Sequence, residues 1–395
     1  MARTSTANSA VPLYAAGFTT AFGAHSIAAG LGAEQSTLGT SLLALGVLLA
    51  VYDVAEVILK PVFGSLSDRV GAKPVIVGGL LFFCVFSALG IFAATPLALG
   101  LIRLGQGAAA SAFSPASSAA VARLAGSKNT GKYFGRYGSW KTLGYVLGPL
   151  LGAVLIWAGG FSALFATMTV ISAAAALWVA RCMPNLPVLP KQRYTLKDLA
   201  VQCLEPSFIV PTVALACATG ALGTAIGFLP LLGTELQLGS GQSMVIVSVL
   251  ALASALVQPW VGRLRDQAKI SARRGMVLGL LVSAAGLGIV ALVPSLATLL
   301  LGAVLIGAGI GITTPLGFAH LASNTPEHRM GRTMGSAELG RELGDAGGPL
   351  LVGAIATAFG VSIGLGTLAV ILVFAALLCT LALRRLSDRG TQSPA

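Results

Sequence analysis

The sequence predicts an all-α membrane protein with twelve transmembrane helices in two pseudo-symmetric six-helix halves and both termini in the cytoplasm. The composition, the positions of Lys and Arg, and an internal repeat carry this prediction. Of the 395 residues, 55% are hydrophobic and only 10% are charged, whereas soluble proteins carry about 25% charged residues. Apolar runs of about 20 residues, long enough to cross a hydrocarbon layer of ~30 Å, recur along the chain. This composition excludes a soluble enzyme, a disordered chain and a disulfide-rich secreted scaffold.

Apolar runs between charged or Pro/Gly-rich breaks predict six spans in each half. In the first half these spans are 12–32, 39–60, 74–94, 97–121, 133–157 and 161–181. In the second half they are 207–231, 242–262, 275–294, 297–321, 332–357 and 361–383. The longest break, 182–206, is predicted to be a cytoplasmic linker between the halves 1–181 and 207–395. We expect the first run to be a span and not a cleaved signal peptide, because no small-residue cleavage site follows it.

The distribution of Lys and Arg predicts the orientation of the chain. The breaks after spans 1, 3, 5, 7, 9 and 11 contain neither residue, while the alternate breaks contain groups such as Arg69 with Lys73 and Arg273 with Arg274. Under the positive-inside rule the basic segments are cytoplasmic. The chain is therefore expected in the cell (inner) membrane as a multi-pass protein. The net charge of +12 is read as a topology signal, so no nucleic-acid partner is expected.

Other chemistry-bearing patterns are missing from the sequence. The five cysteines are scattered, with no CxxC pair, so we expect free thiols and no metal site. The sequence contains no G-x-x-x-x-G-K-[ST] phosphate loop, no G-x-S-x-G elbow and no H-E-x-x-H pair. We therefore expect neither a cofactor nor an enzymatic activity. The cysteines are Cys84, Cys182, Cys203, Cys217 and Cys379.

The second half repeats part of the first with an offset of 200 residues. The segment GKYFGRYGSWKTLGYVLGPLL at 131–151 corresponds to GRTMGSAELGRELGDAGGPLL at 331–351. Glycines, a Gly-Pro-Leu-Leu run and basic residues recur, with Lys141 corresponding to Arg341. Two parallel repeats of six spans place a binding site between the halves near the midplane of the membrane. Duplication without a function is the alternative, but a two-lobed membrane protein with charges inside its spans is typical of a transporter.

Nine ionisable side chains are predicted to lie inside the apolar layer, where a charge that faced lipid would cost several kcal/mol. Four of them lie on one face of span 11, because they are spaced i, i+3, i+4 and i+7. We predict that the nine side chains line a wet central cavity. They are Asp53, Glu56, Arg103, Lys141, Glu338, Arg341, Glu342, Asp345 and His25.

Several segments resemble motifs of the major facilitator superfamily, specifically of its twelve-span drug:proton antiporters. GSLSDRVGAK at 64–73 is similar to the G-x-L-x-D-R-x-G loop signature, and PWVGRLRD at 259–266 is a half-repeat of it after span 8. RLGQGAAA at 103–110 resembles the R-x-x-Q-G motif associated with proton coupling. GYVLGPLLG at 144–152 resembles the G-x-x-x-G-P-x-x-G antiporter motif, although Ala153 stands where a second glycine is common.

The resemblance implies a cytoplasmic gate formed by Gly64, Asp68, Arg69 and Gly71. The two glycines would permit a tight turn close to neighbouring helices. Asp68 is suited to accept hydrogen bonds from backbone amides at a helix N-terminus, where the helix dipole favours an anion. The alternative is a plain tight loop with solvated charges.

The antiporter motif predicts close helix packing in span 5. Gly144, Gly148 and Gly152 recur at intervals of four, which leaves one helix face as bare backbone, and Pro149 removes a helical hydrogen bond and bends the span. We expect this seam to limit leakage while the two halves move.

The resemblance implies a secondary transporter that exports small molecules, such as drugs or toxic metabolites, in exchange for protons. Its partners would be a small-molecule substrate, protons and the lipid bilayer, and we expect it to act as a monomer. The alternative is a proton symporter that imports a small, anionic metabolite, since Arg103, Lys141 and Arg341 are all deep cations. A membrane sensor is disfavoured, because it would need a soluble output domain that these short ends are not expected to supply.

Among the deep carboxylates, Asp53, Glu342 and Asp345 are expected to carry the protons. Each is predicted to lie well inside the apolar layer near a basic residue, so its proton affinity can change with conformation. Glu56 and Glu338 are expected nearer the cytoplasmic edge, where water reaches them.

Some of these charges have a structural interpretation instead. In this interpretation Glu338 pairs with Arg341, or Glu342 pairs with Arg341, and the pair holds helices together without a role in transport. His25 is either a packing residue or a protonation site. Lys60 is expected to extend its amine to the membrane surface.

The predicted topology can be tested with single cysteines in a background without other cysteines. Gly239→Cys and Ser295→Cys should react with a membrane-impermeant thiol reagent added outside intact cells. Ser127→Cys should react only after the membrane is opened, because its break is basic and therefore cytoplasmic. Labelling of Ser127→Cys from outside would reverse the predicted orientation.

Overall fold

The computed structural model describes residues 9–33, 42–93, 95–126, 128–188, 204–238 and 240–390, and the regular structure in these ranges is helical. A 3₁₀ turn at Glu327–Arg329 precedes the tenth α-helix. The α-helices of the first part of the chain are α1 (Val11–Ala33), α2 (Leu42–Val70), α3 (Ala72–Gly90), α4 (Pro96–Ala125) and α5 (Thr130–Cys182). Those that follow are α6 (Pro206–Glu235), α7 (Ser240–Asp266), α8 (Ala272–Leu292), α9 (Leu296–Asn324), α10 (Met330–Phe359) and α11 (Val361–Gly390).

Each predicted span overlaps one of these helices, and α5 carries both span 5 and span 6. The two parts of α5 are separated by Gly159 and Gly160, whose backbone angles are not helical. Gly160 has a φ of 66°, in the left-handed region that glycine enters without a steric cost. The count of twelve spans and the cytoplasmic location of the termini stay predictions.

Seven segments of the described helices are long and apolar enough to cross a membrane. Large apolar side chains also lie on the protein surface, including Trp157, which is 88% exposed, and Leu292, which is 82% exposed. Extended apolar surface of this kind marks contact with lipid or with another protein. Together these features indicate a multi-pass membrane protein. The seven segments are Ala72–Gly90, Thr130–Cys182, Pro206–Gly233, Val245–Asp266, Ala272–Leu292, Leu296–Asn324 and Val361–Ala382.

Helix α2 extends beyond the span predicted from hydropathy. Hydropathy predicts that span 2 ends at residue 60 and that GSLSDRVGAK forms a loop, but α2 continues to Val70. Hydropathy marks the depth of the apolar layer, and a helix with polar partners continues past that layer. Gly64 is therefore a helical residue, and the expectation that it forms a turn is wrong. The turn lies at Gly71, where a φ of +100° requires glycine.

The fold comprises two compact units. Unit 1 contains Met1–Leu124, Trp140–Pro190 and Thr325–Leu339, and unit 2 contains Ala125–Ser139, Lys191–Asn324 and Gly340–Ala395. The first ten residues of α5 thus belong to unit 2, and the first ten of α10 belong to unit 1. The predicted halves 1–181 and 207–395 stay a prediction about sequence repeats.

Glycines allow repeat-related helices to approach closely within each unit. In unit 1, a Cβ atom added to Gly144 of α5 would lie 2.7 Å from the carbonyl oxygen of Phe18 in α1, and one added to Gly152 would lie 2.9 Å from that of Ser26. In unit 2, a Cβ atom added to Gly344 of α10 would collide with the carbonyl of Ala216 in α6. Only glycine permits this backbone contact, which is typical of helix packing in membranes.

Candidate functional site

The centre of the candidate site in unit 1 is a buried ion pair between Lys141 of α5 and Glu338 of α10. The Lys141 Nζ lies 2.8 Å from Glu338 Oε2, and the Glu338 side chain is fully buried. Ser118 of α4 donates a hydrogen bond of 3.0 Å to the other carboxylate oxygen, and Lys141 also donates to Ser114 Oγ at 3.3 Å. A buried charge pair is less costly when further hydrogen bonds satisfy its remaining donors and acceptors, and the two serines supply such bonds. Three helices therefore meet at one carboxylate.

A second buried pair lies on α2, one helical turn apart. The Lys60 Nζ is 2.8 Å from Glu56 Oε1, and the Lys60 side chain is fully buried. The expectation that Lys60 reaches the membrane surface is therefore wrong. Its backbone carbonyl also packs against Gly335 of α10, where an added Cβ would lie 2.7 Å away. The α2–α10 contact thus covers this side of the lysine.

The expectation that water reaches Glu56 and Glu338 is also wrong. Glu56 is 3% exposed and Glu338 is 0% exposed. Neighbouring helices cover these residues, and the position of a residue along one helix does not indicate that cover. Both carboxylates are instead held by lysines.

Arg103 of α4 is buried against α2. Its guanidinium carbon lies 4.2 Å from the centre of the Tyr52 ring, a cation–π contact. The carboxylates of Asp53 and Glu56 act on it electrostatically, and Asp53 itself is exposed. In the described residues, Nε and one terminal nitrogen of Arg103 have no hydrogen-bond partner. One turn along α4, Gln106 donates to Ser87 Oγ at 2.9 Å.

His25 lies on the glycine seam between α1 and α5. Its Nδ1 is 3.1 Å from the Ala21 carbonyl, and its ring meets Tyr145 edge-on at 4.4 Å. The residue is half-buried. A Cβ atom added to Gly148 would lie 3.4 Å from the His25 Cβ, so the antiporter motif and the histidine form one interface, with Pro149 following in α5.

Unit 2 holds the remaining predicted charges. Arg341 and Glu342 of α10 form an ion pair of 2.7 Å, which was one of the two pairings expected for Arg341. Thr219 of α6 donates to the backbone carbonyl of Arg341 at 2.7 Å. Asp345 is half-buried near α6, since a Cβ atom added to Gly223 would lie 2.8 Å from its carboxylate. Glu338, the fourth charge of this helix face, pairs with Lys141 within unit 1.

Asp68 joins the end of α2 to the start of α10 within unit 1, in an arrangement that we call the Asp68 clamp. The amide of Gly331 donates to Oδ1 at 2.8 Å, and that of Arg332 donates to Oδ2 at 2.9 Å. The first amides of a helix have no partner inside the helix, and the helix dipole favours a carboxylate there. A Cβ atom added to Gly64 would lie 2.5 Å from the Gly331 carbonyl, so glycine permits the approach.

The other predicted gate residues surround this clamp in different ways. Arg69 is exposed, and Gly71 forms the turn that follows α2. Burial raises the pKa of the Asp68 carboxyl from its ordinary value of 3.8 to about 6, although the amides of Arg332 and Gly331 favour the charged form. The carboxyl of the clamp therefore titrates near pH 6.

A second carboxylate repeats this geometry in unit 2 and was missed as a site residue. The amides of Gly131 and Lys132, at the start of α5, donate to Asp266 at 2.9 and 2.7 Å; this is the Asp266 clamp. Its neighbour Arg265 donates to Thr130 Oγ1 at 2.5 Å and to Ser323 Oγ at 2.7 Å. The available signal was the spacing Gly-x-Leu-x-Asp, which occurs at both 64–68 and 262–266.

The described residues contain no cluster of His, Cys, Asp or Glu suited to a metal ion. Cysteines 84, 182, 217 and 379 are free thiols in this part of the chain. Cys203 lies outside the described residues.

Comparison with known proteins agrees with this architecture. The profile of the Major Facilitator Superfamily matches residues 13–264 and 211–395. An uncharacterized MFS-type transporter of Methanocaldococcus jannaschii is 22% identical over 87% of this chain and 90% of its own. The multidrug resistance protein MdtG is 30% identical in Yersinia enterocolitica, over 38% of this chain and 36% of its own. In Escherichia coli MdtG is 32% identical, but the match spans only 29% of that protein.

Solved structures share the fold. The human organic anion transporter MFSD10 (TETRAN) superimposes with a TM-score of 0.80 at 18% identity, covering 95% of this chain and 99% of its own. The transporter FucP, in its outward conformation, gives a TM-score of 0.79 at 14% identity, covering 94% and 98%. With the family profile matching nearly the whole length, the chain belongs to the Major Facilitator Superfamily of membrane transporters.

Proposed function

We propose that this protein is a proton-coupled secondary transporter that exports small molecules, such as drugs or toxic metabolites, by alternating access. The observation that carries the proposal is the Lys141–Glu338 pair, which is buried and joins residues from the two predicted halves. A proton on Glu338 removes its charge and with it the attraction to Lys141. Proton binding and helix separation are thereby linked. The multidrug resistance proteins matched in part by the chain support the export direction.

In this proposal the two clamps hold the cytoplasmic ends of the helices together in one state. The Asp68 clamp fixes the start of α10, and the Asp266 clamp fixes the start of α5. Breaking both clamps and the Lys141–Glu338 pair would open the cytoplasmic side. The glycine seam of α5 on α1 would stay packed and limit leakage.

Exchange of substrate for protons would use the remaining carboxylates. Asp53 lies in the field of Arg103, and Glu342 is paired with Arg341. A nearby cation favours the charged form of a carboxylate and desolvation favours the protonated form, so moving the helices changes the affinity for protons. The proposal includes action as a monomer in the cell (inner) membrane, without a nucleotide or other cofactor.

The second candidate function is proton-coupled import of a small anionic metabolite. It is favoured by Arg103, which is 2% exposed and has two nitrogens without a hydrogen-bond partner in the described residues. A guanidinium of this kind is suited to bind a carboxylate or phosphate group. Transport in vesicles separates the two functions. A proton gradient directed into the vesicle drives the substrate out of the vesicle in the first case and into the vesicle in the second.

A double variant separates coupling from structure at the buried pair. Glu338→Gln alone leaves the Lys141 cation buried without a carboxylate, so we expect less folded protein in the membrane. The double variant Glu338→Gln, Lys141→Met removes both charges at similar volume, so folded protein should return to near the normal amount. We expect it to retain downhill exchange but to lose uphill, proton-driven transport by at least about tenfold.

A growth-inhibition panel that compares cells with and without the chain first identifies a compound whose toxicity the protein relieves. Transport of this compound is then measured in vesicles. Transport is normalised to folded protein. If the double variant folds and still transports uphill at the normal rate, the pair is purely structural.

Neutralising the other deep carboxylates tests the coupling directly. Asp53→Asn, Glu342→Gln and Asp345→Asn should each reduce uphill transport driven by an imposed pH gradient while leaving downhill exchange. Glu327→Gln, at an exposed carboxylate of the 3₁₀ turn, is the matched control and should transport normally. A normal response of all three variants to the pH gradient would exclude these residues as the coupling site.

The Asp68 clamp should respond to pH. Its carboxyl has a pKa of about 6 when clamped and is expected to return toward 3.8 when water reaches it, so the clamped form binds the proton more tightly. Acid therefore stabilises the clamped form. This stabilisation is complete below pH ~4 and is lost as the pH rises through ~6.

The reporter for this equilibrium is Ser67→Cys, at a buried position of the clamp. Its alkylation rate is divided by that of Cys182, which is exposed and serves as the reference thiol. The ratio should fall between pH 7 and pH 5, and it should be constant when Asp68→Asn is added. A ratio that rises in acid, or the same fall with Asp68→Asn, contradicts the assignment.

A further inference from the structure

The first residues of the linker, 183–188, lie against unit 1 and form neither helix nor strand. Two basic side chains hold their backbone. The Lys73 amine, at the start of α3, donates a hydrogen bond of 2.7 Å to the Met183 carbonyl. The Arg123 guanidinium, at the end of α4, donates one of 2.7 Å to the Pro187 carbonyl. This segment, which we call the linker strap, is thus fastened to two helices.

The composition of the linker strap suits this docking. Pro184 and Pro187 fix their own φ angles, and each restricts the residue before it, so the strap loses little conformational freedom when it docks. A proline has no amide hydrogen but keeps its carbonyl oxygen as an acceptor. Met183 is 2% exposed, whereas Pro187 lies at the surface. The strap is therefore buried where it leaves α5 and is held by its carbonyl groups farther along.

The linker strap adjoins the Asp68 clamp in two ways. Val188 packs on the turn at Gly71, three residues after Asp68, since a Cβ atom added to Gly71 would lie 3.4 Å from the valine side chain. Arg123, which holds the strap, also acts on the Asp68 carboxylate. Burial raises the pKa of this carboxyl, and the charges of Arg123 and of Arg332 in α10 are among the influences that lower it. The position of Arg123 therefore affects the ionised form of Asp68.

The two clamps differ in what holds the nearby cation. Beside Asp266 this cation is Arg265, which donates a hydrogen bond of 2.7 Å to Ser323 of α9. In the repeat of 200 residues, Ser323 corresponds to Arg123. Arg123 is itself the cation near Asp68, and its hydrogen bond goes to the linker strap. One clamp thus has its cation fastened to a helix, and the other has it fastened to the linker.

We propose that the linker strap is part of the cytoplasmic gate and that its docking supports the Asp68 clamp through Arg123. While the strap is docked, the Pro187 carbonyl keeps Arg123 where its charge offsets the cost of burying the ionised carboxylate. Release of the strap lets Arg123 turn to water and weakens the clamp at neutral pH. Because the chain continues from the strap into unit 2, movement of the linker would reach the clamp. The gating role rests on the proposed function, but the link between strap and clamp does not.

Thiol alkylation tests this link without a transport assay. The full-length protein, with its own cysteines replaced, carries either Ser67→Cys in the clamp or Met183→Cys in the strap, both at buried positions. Each alkylation rate is divided by the rate for the same variant unfolded in detergent. Lys73→Met removes one fastening of the strap and leaves Asp68 and Arg123 in place. We expect it to raise both rates about two- to fivefold at pH 7, as for the loss of a partly exposed charge interaction.

The pH dependence separates action through Asp68 from a general loosening of the fold. At pH 5 the Asp68 carboxyl, with a pKa of about 6, is mostly protonated and no longer attracts Arg123. The effect of Lys73→Met on the Ser67→Cys rate should therefore be lost at pH 5. Its effect on the Met183→Cys rate should persist, because the strap is released at both pH values.

Further variants serve as controls. Arg123→Gln should reproduce the effect on the Ser67→Cys rate, and adding Lys73→Met to it should change that rate no further. Lys73→Arg keeps a donor and should restore the normal rates. Lys128→Met, at an exposed lysine, is the matched control for the loss of one charge. Pro187→Gly loosens the strap without removing a charge or a carbonyl, and it replaces Lys73→Met should that variant fold poorly.

Three results would overturn the proposal. A raised Met183→Cys rate with an unchanged Ser67→Cys rate would show that strap and clamp are independent. Unchanged rates at both positions, in Lys73→Met and in Pro187→Gly, would show that these contacts do not hold the strap. An effect on Ser67→Cys that is equally large at pH 5 would exclude action through Asp68. The rates are measured without substrate or proton gradient, so a failure of proton-coupled export leaves these outcomes unaffected.

Discussion

A carboxylate buried away from water needs a cation or hydrogen-bond donors, and this requirement decides which helices meet in the candidate site. Glu338 receives Lys141 from α5 and Ser118 from α4. Glu56 receives Lys60 from its own helix. Removing one partner of such a pair leaves a buried charge, which costs far more than the pair contributes. The Lys141–Glu338 pair therefore holds α5 and α10 in contact and makes that contact sensitive to protonation.

Close backbone approach is the second constraint, and glycine supplies it. The Asp68 clamp forms only because Gly64 and Gly331 let α2 and α10 touch, and the Asp266 clamp depends in the same way on Gly131 and Gly262. In both clamps a carboxylate accepts hydrogen bonds from the first amides of a helix. The two clamps differ in the residue that precedes the carboxylate. Before Asp266 this residue is Arg265, which donates hydrogen bonds to Thr130 and Ser323. Before Asp68 it is Ser67, which donates to the Gly64 carbonyl.

The sequence was sufficient for the helical architecture and for the family, whose resemblance is confirmed, because apolar runs and motif spacing are local signals. The partners of the buried charges were not local. A helical period places Glu338 and Arg341 on one face, but the structure pairs Glu338 with Lys141, 197 residues away. Lys60 was expected at the surface because the packing of α10 over α2 cannot be read from α2 alone. Asp266 could have been predicted, since the Gly-x-Leu-x-Asp spacing occurs twice.

The central claim is that the contact between the end of α2 and the start of α10 forms and breaks as the transporter works. Double electron–electron resonance tests it with spin labels at Val70 and Glu327, both exposed and both in unit 1. We expect two distances in proteoliposomes, with the longer one gaining population when the double variant Glu338→Gln, Lys141→Met removes the buried pair. A single short distance, unchanged by the double variant and by pH, would contradict this.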